Sequence, residues 1–276
     1  CDRKPNVSRV RSVRGIDGVL SNVLLASDGP GRVVVPALCA GAEGVSAMFD
    51  ILHRYLLVFL VGGWPRGPIG GFALTLILAV LGLGLAFPVA LALGLARMSP
   101  WRVLRWPAFA WVYTLRGIPL LMIVFWAYYV IPLATGRTIS AFHTALAAIV
   151  AYEAAFLSEI VRAGLLALPR GQIEAARASG LSYLQALRHV LLPQALVNMI
   201  PSFVNQFVST IKATSIVYVI GVQEVTFSAQ QVNSMETTNA LQVFLVLAGF
   251  YLLACASLSA LARMLDRRIQ RRRAAQ

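Results

Sequence analysis

The chemically able side chains of this sequence stand where polar groups are hardest to keep. Glu153, Gln206 and Lys212 lie inside long apolar runs, and Thr214 and Ser215 follow Lys212 closely. An ionisable group in a bilayer interior is destabilising unless it faces protein or water, so each is a candidate lining for the path of a polar solute. Glu153, Gln206 and Lys212 together could hold an ammonium or a carboxylate briefly in a central pocket. The competing arrangement is an internal Glu153–Lys212 ion pair, or a Lys212 that snorkels to an interface. Glu153 and Gln206 suit either role; Lys212 suits the structural one better. Glu159 precedes Arg162 by three residues, the spacing of a structural pair on one helix face. No catalytic residue emerges, because an intramembrane enzyme needs a Ser/His, paired Asp or His-Glu-metal constellation that Glu153 and Lys212 do not make. His53, His143 and His189 have no matching ligand set, so no metal site is expected. Cys1, Cys39 and Cys255 are scattered and carry no redox argument.

Those groups must be positioned by membrane-crossing elements. The 276 residues are 58% hydrophobic and only 13% charged, with a mean hydropathy of +0.74, far more apolar surface than one soluble core buries. A cytosolic enzyme, a disulfide-framed secreted domain and a disordered tail are thereby excluded. Five apolar stretches each approach the 20 or so residues that cross about 30 Å of hydrocarbon: Gly70 to Ala96, Pro107 to Leu133, Ala141 to about Leu157, Ala195 to Val222 and Ala240 to Ala262. All are read as α-helices, since an unclosed strand in lipid leaves backbone groups unpaired. The expectation is an all-α polytopic membrane protein with five spans over residues 67–266. Arg116 falls ten residues into the second stretch, before Gly117 and Pro119, so that helix is expected to restart there. Pro88 is read as a tolerated kink.

The net charge of +13 is a matter of topology rather than nucleic acid. Arg97, Arg102 and Arg105 fall between the first two stretches, and Arg162, Arg170, Arg177 and Arg188 between the third and fourth. Arg263, Arg267, Arg268, Arg271, Arg272 and Arg273 follow the fifth, the last of them in a basic tail over 267–276. The two remaining loops hold Arg137, Glu224 and Glu236. By the positive-inside rule the arginine-rich loops are cytoplasmic, giving an outside amino terminus and an inside carboxyl terminus, with Arg54 and Arg66 counting mildly against. The terminal arginines are topological anchors for anionic lipid headgroups.

Residues 1–47 read as different material: basic, with scattered Gly and Pro and no signal-peptide core. Glu43-Gly44-Val45 can be encoded by a purine-rich ribosome-binding sequence upstream of Met48, so the expectation is a start at Met48, with a disordered extension as the alternative. From Met48 to Gly63, Phe49, Leu52, Tyr55, Leu56, Phe59 and Leu60 recur at helical spacing, suiting an interfacial helix within residues 48–66.

The polar stretch over residues 168–193 is too patterned to be a loose loop. Ile173, Ala176, Leu181, Leu184, Leu187, Val190 and Leu191 recur every three to five residues, which predicts two short amphipathic helices hinged at Gly180. Pro193 is expected to end this element and admit the fourth span. Glu174-Ala175-Ala176, Gly180, Val190 and Leu192-Pro193 resemble the EAA loop of ABC-transporter permease subunits, with Val190 in the usual Ile position. Arg116-Gly117-Ile118-Pro119-Leu120-Leu121, Ser158-Glu159-Ile160-Val161-Arg162-Ala163-Gly164, Pro169-Arg170-Gly171-Gln172, Thr214-Ser215 and Tyr218-Val219-Ile220-Gly221 narrow the resemblance. Together they look like the permeases of polar amino acid uptake systems, which serve histidine, glutamine, glutamate, aspartate, arginine and opines.

The resemblance spans about residues 66 to 268 and implies a type I ABC importer permease fold of the MetI-like kind, in a bacterial inner membrane. It implies pairing with a second permease, the same or related, with two cytoplasmic ATPases below and an extracytoplasmic amino-acid-binding protein above. Glu174, Ala175, Ala176, Gly180, Leu192 and Pro193 then carry ATPase coupling. The sequence has two lysines, Lys4 and Lys212, and neither follows a glycine as a phosphate-binding loop requires. ATP and Mg are therefore expected to be used by the partner, with no cofactor bound by this chain. An ion-gradient-driven secondary amino acid transporter is the alternative, although five spans divide poorly into repeats.

Overall fold

The computed structural model describes residues 35–274. Contacts divide the chain into Cys1–Ala47 and Met48–Gln276. Most of the first unit, and with it the expected extension over residues 1–47, lies outside the described residues. Among the described residues the elements are helical: α1 (Val35–Val61), α2 (Gly71–Met98), α3 (Arg102–Gly117), α4 (Leu120–Thr135), α5 (Ala141–Leu166), α6 (Arg170–Ala178), α7 (Tyr183–Ile220), α8 (Val225–Met235) and α9 (Ala240–Ala274).

Among the described residues four helices are long and apolar enough to cross a membrane: α2, α5, α7 and the Ala240–Arg267 part of α9. A fifth crossing comes from α3 and α4 only if the pair counts as one broken span, because the two axes bend by 105°. The break falls where Arg116, Gly117 and Pro119 led the second helix to be expected to restart, and its first half begins earlier than Pro107, at Arg102. Ile118 and Pro119 adopt extended ψ values of 133° and 137°, as the residue before a proline prefers, and the chain restarts with Pro119 in the N-cap position of α4.

The third span is longer than its apolar run suggests, reaching Leu166 rather than Leu157. Buried packing of Ser158, Val161 and Leu165 carries the helix past the polar Glu159 and Arg162. The fourth differs more: α7 runs unbroken for 38 residues, and Pro193 does not end the preceding element. A proline lacks the N–H that would bond four residues back, and its ring crowds that carbonyl. The helix absorbs this by widening into a π turn at Leu187–Leu191, where the Leu192 N–H reaches the Leu187 carbonyl. The same solution recurs in α4, where a π turn at Trp126–Val130 precedes Pro132.

The centre is the α2–α5 contact. Gly82, Ala86, Ala90 and Gly94 are buried at four-residue intervals on one face of α2. A Cβ on Gly82 would come within 2.6 Å of Ile149, and one on Gly94 within 2.9 Å of Val161. Small residues here let two backbones approach, the packing that substitutes for a hydrophobic driving force inside lipid. Ala86 and Ala90 close against Ala154 and Leu157. At one end, Leu187, Leu191, Ala195 and Met199 of α7 pack on Val161 and Leu165 of α5. At the other, Ile51 and Phe59 of α1 pack with Val225, Ala229 and Val232 of α8 and with Val243 and Val246 of α9. The spacing over 49–60 thus belongs to α1, whose Arg54 pairs with Glu236 at 3.3 Å.

Candidate functional site

Glu153 sits mid-helix in α5, 1% exposed. Its carboxylate accepts a hydrogen bond from Gln206 Nε2 of α7 at 2.7 Å, and one turn further Thr210 donates to the Gln206 carbonyl at 2.9 Å. The contact that the two apolar runs hid is therefore Glu153 with Gln206. Lys212 is not part of it: its side chain is exposed, and among the described residues it joins no ion pair, which removes the Glu153–Lys212 bridge weighed as one alternative. Six residues beyond Gln206 on a helix of 3.6 residues per turn is a different face. Thr214 is buried and donates to the Ile211 carbonyl at 2.7 Å, and Ser215 donates to the Lys212 carbonyl at 2.7 Å. Both hydroxyls serve the turn in which α7 tightens to a 3₁₀ helix over Thr214–Ile220.

Nearer the α6 end, Glu159 is the hub of a charged cluster. Arg162 donates through two nitrogens, as the three-residue spacing predicts, one of them at 3.0 Å. Arg97 of α2 donates at 2.6 Å, and Arg116 of α3 stands 3.8 Å away, its guanidinium 5.3 Å from the Phe156 ring centroid. Three arginines from three helices thus meet on one carboxylate, beside the break that separates α3 from α4. The sequence supplies only the local pair; Arg97 and Arg116 lie 62 and 43 positions from Glu159 and converge through packing. A cavity of about 530 Å³ opens here, reaching from Arg116 and Glu159 past Ser202 to Gln206.

The segment matching the EAA loop forms the expected pair of helices with one change. Helix α6 ends at Ala178, and Gly180 turns the chain at φ +87°, a conformation open to glycine at little strain. Ser182 then caps α7, accepting from the Gln185 N–H while Gln185 Oε1 accepts from the Ser182 N–H, a complete capping box. Glu174 and Ala175 point outward and Ala176 is buried. Leu192 and Pro193 lie one to two residues past the π turn. The loop is a rigid, outward-facing helix joined to α5 and α7 at its two ends.

One residue escaped the sequence reading as more than a loop charge. Glu224 is fully buried at the N-terminus of α8, its Oε1 accepting from the Thr226 and Phe227 N–H groups at 2.9 and 3.1 Å. Its Oε2 meets the hydroxyls of Thr75 in α2 at 3.3 Å and Tyr251 in α9 at 3.2 Å. Burial pushes its carboxyl up to about 7, against the opposing pull of the donors at Thr226, Phe227 and Tyr251. The signal available beforehand was an acid directly before an apolar helix start, a weak one, since Glu is not among the favoured capping residues.

Comparison with known proteins agrees with the architecture. The family described as the binding-protein-dependent transport system inner membrane component matches residues 82–271. The chain is 35% identical over 227 residues to the probable glutamine ABC transporter permease GlnM of Bacillus subtilis, covering 82% of this chain and 98% of that protein. It is 34% identical over 210 residues to the glutamine transport system permease GlnP of Escherichia coli, covering 75% and 95%. It is also 36% identical over 202 residues to the L-cystine permease TcyB of Bacillus subtilis, covering 73% and 86%. A crystal structure of an amino acid ABC transporter with histidines superposes with a TM-score of 0.67 at 31% identity, covering 72% of this chain and 92% of that one. A five-segment helical membrane domain with this loop between its third and fourth crossings, matched by that family over most of its length, belongs to the inner-membrane permease components of binding-protein-dependent ABC importers.

Proposed function

We propose that this permease carries a polar L-amino acid inward, in a complex with a second permease, two ATPase subunits and an extracytoplasmic binding protein. The substrate class rests on the relatives, named for glutamine and cystine, and on the Glu153–Gln206 pair between α5 and α7, which offers an acceptor and an amide at one point within the spans. ATP and Mg act in the partner. The relatives' names favour this over an ion-gradient-driven transporter.

The observation that carries the coupling role is the exposed helix α6, hinged by Gly180 and tied directly to α5 and α7. A short amphipathic helix presented this way suits a partner's groove. Closure of the ATPases would push α6, and with it α5 and α7, from inward-open to outward-open. Glu174, Ala175, Ala176 and Gly180 form the contact; Leu192 and Pro193 join it to the span. The arginine-rich loops put α6 on the cytoplasmic side and the carboxyl terminus inside.

The test is uptake of labelled L-glutamine, L-glutamate, L-histidine, L-arginine and L-cystine into proteoliposomes holding the full complex, with and without ATP and with ionophores. ATP-dependent, ionophore-resistant uptake of one of these is expected. Uptake by this chain alone, indifferent to ATP and abolished by ionophores, would overturn the reading. Gly180→Pro, which cannot reach φ +87°, and Glu174→Arg are expected to abolish coupled uptake while the chain still inserts; normal uptake by both removes the coupling assignment.

A further inference from the structure

The coupling reading for α6 makes no use of the cleft shared by Gln206 and Arg116. Around Glu159, three guanidiniums meet one carboxylate. Two of them, from Arg97 and Arg162, are spent in hydrogen bonds to Glu159. Arg116 is different: at 3.8 Å it is beyond hydrogen-bond distance, its side chain is 42% exposed, and among the described residues no carboxylate or carbonyl accepts from it. The Phe156 ring beneath its guanidinium, 5.3 Å away, holds the group in place without using its N–H donors, since a ring face attracts the cation through its quadrupole. Arg116 therefore presents an oriented, unspent fork, and a guanidinium fork matches a carboxylate in two parallel bonds.

The surroundings fit a solute rather than a charge left over from folding. The cavity of about 530 Å³ is lined by Arg116 and Glu159 together with Asn198, Ser202 and Gln206, which lie one turn apart along α7. Its size lies within the range of small-molecule sites, and its polar groups run along α7 from the Glu153 partner toward the α6 end. We propose that this cleft is a second station for the transported amino acid, in which Arg116 takes the α-carboxylate after the solute has left Glu153. The proposal rests on the amino acid reading above. The excess of positive charge draws the carboxylate end toward Arg116, and the shared Gln206 makes the two stations adjoin. Arg116 sits at the junction of α3 with α4, so occupation of the station is felt at the 105° break.

The experiment uses the complete permease–ATPase complex in lipid nanodiscs without nucleotide. The ligand is the amino acid that the wild type takes up in the proteoliposome panel, labelled, alongside its α-carboxamide. Equilibrium dialysis is run for wild type, Arg116→Gln and Arg116→Lys, in phosphatidylcholine and in phosphatidylglycerol discs. The expected result is at least about tenfold weaker binding of the amino acid by R116Q, whose neutral amide keeps at most one of the two bonds and none of the charge. The carboxamide should bind wild type and R116Q alike, Arg116→Lys should recover part of the loss, and both lipids should give the same answer. Equal weakening for amino acid and carboxamide overturns the proposal and makes Arg116 a packing residue. A loss confined to phosphatidylglycerol discs overturns it in favour of a lipid phosphate, and no loss overturns it outright. If R116Q does not assemble, Ser202→Trp fills the same cleft from α7; undiminished binding by that variant also overturns the station. A wild type that takes up none of the panel fails the amino acid reading itself, a separate outcome seen before any variant is made.

Discussion

Glu224 and Glu159 are both carboxylates that bind several helices together, at opposite ends of the helical domain, and they do so by opposite means. Glu224 is surrounded by neutral donors: two backbone N–H groups of α8 and the hydroxyls of Thr75 and Tyr251. Glu159 is surrounded by guanidiniums and is 26% exposed beside a cleft. Directional neutral bonds in a dry site fix α2, α8 and α9 in one arrangement, because any shift leaves a buried donor unmet. Charges beside water tolerate rearrangement, since each arginine can be re-solvated when its partner moves. The Glu224 end is accordingly a clamp of buried neutral bonds, and the Glu159 end, next to α6 and the α3–α4 break, is one whose partners water can replace.

The comparison breaks most sharply at Glu224. Glu224→Ala strands two helix N–H groups, while Thr75 keeps the Gly71 carbonyl and Tyr251 the Thr226 hydroxyl as partners, with an expected loss of about 2–3 kcal/mol. Thermal unfolding of the detergent-solubilised protein at pH 5.5, where the native carboxyl is protonated, reads it. A loss below about 1 kcal/mol would dissolve the contrast with Glu159.

The second effect is on pH. With the folded carboxyl raised to about 7 above an unfolded value near 4.3, its contribution to stability is complete below the unfolded value and is lost as pH rises through about 7. Wild type should be more stable at pH 5 than at pH 8 by up to about 3 kcal/mol from this group. Glu224→Gln keeps the cap and cannot ionise, so its melting temperature should be flatter over that range. An unchanged pH slope in the variant would place the titration elsewhere.

Glu159→Gln should cost less, about 1 kcal/mol for a partly exposed network, and the loss should shrink in high salt. Chemical denaturation at low and high salt measures it; a salt-independent loss would make this end as rigid as the other. The smallest effect belongs to Arg54→Gln, which removes a largely exposed partner of Glu236 and should change stability by less than about 0.5 kcal/mol. A larger loss on melting would make that pair part of the clamp.

Much of this architecture was legible along the chain because it is written in local periodicity. Runs of apolar residues long enough for a bilayer announce α2, α5 and α9, and the Gly180 hinge and the polar pattern over 168–193 announce α6. The Arg162–Glu159 pair follows from a spacing of three. Proline separates a reading that held from one that needed correction. Pro119 does break its helix, since the extended residue before it has room to turn; Pro193 does not, since a π turn spreads the missing bond over one more residue. Proline alone cannot tell these apart, because the difference lies in whether neighbouring helices hold the strained turn in place.

The candidate site was readable only as a set of unusual residues. That Glu153, Gln206 and Lys212 were out of place in apolar runs followed from residue type; that the first two meet and the third turns away depended on the rotation of α7 against α5. Arg97 and Arg116 reach Glu159 from two other helices, and Thr75 and Tyr251 reach Glu224 across 149 and 27 positions. The sequence by itself determined a helical membrane protein, its apolar crossings, its side of excess arginine and the paired helices over 168–193, because each depends on hydrophobicity, charge or spacing within a few turns. Only the tertiary structure decided which polar groups face one another, because a helix fixes the spacing of its own side chains but not the face it turns to its neighbours.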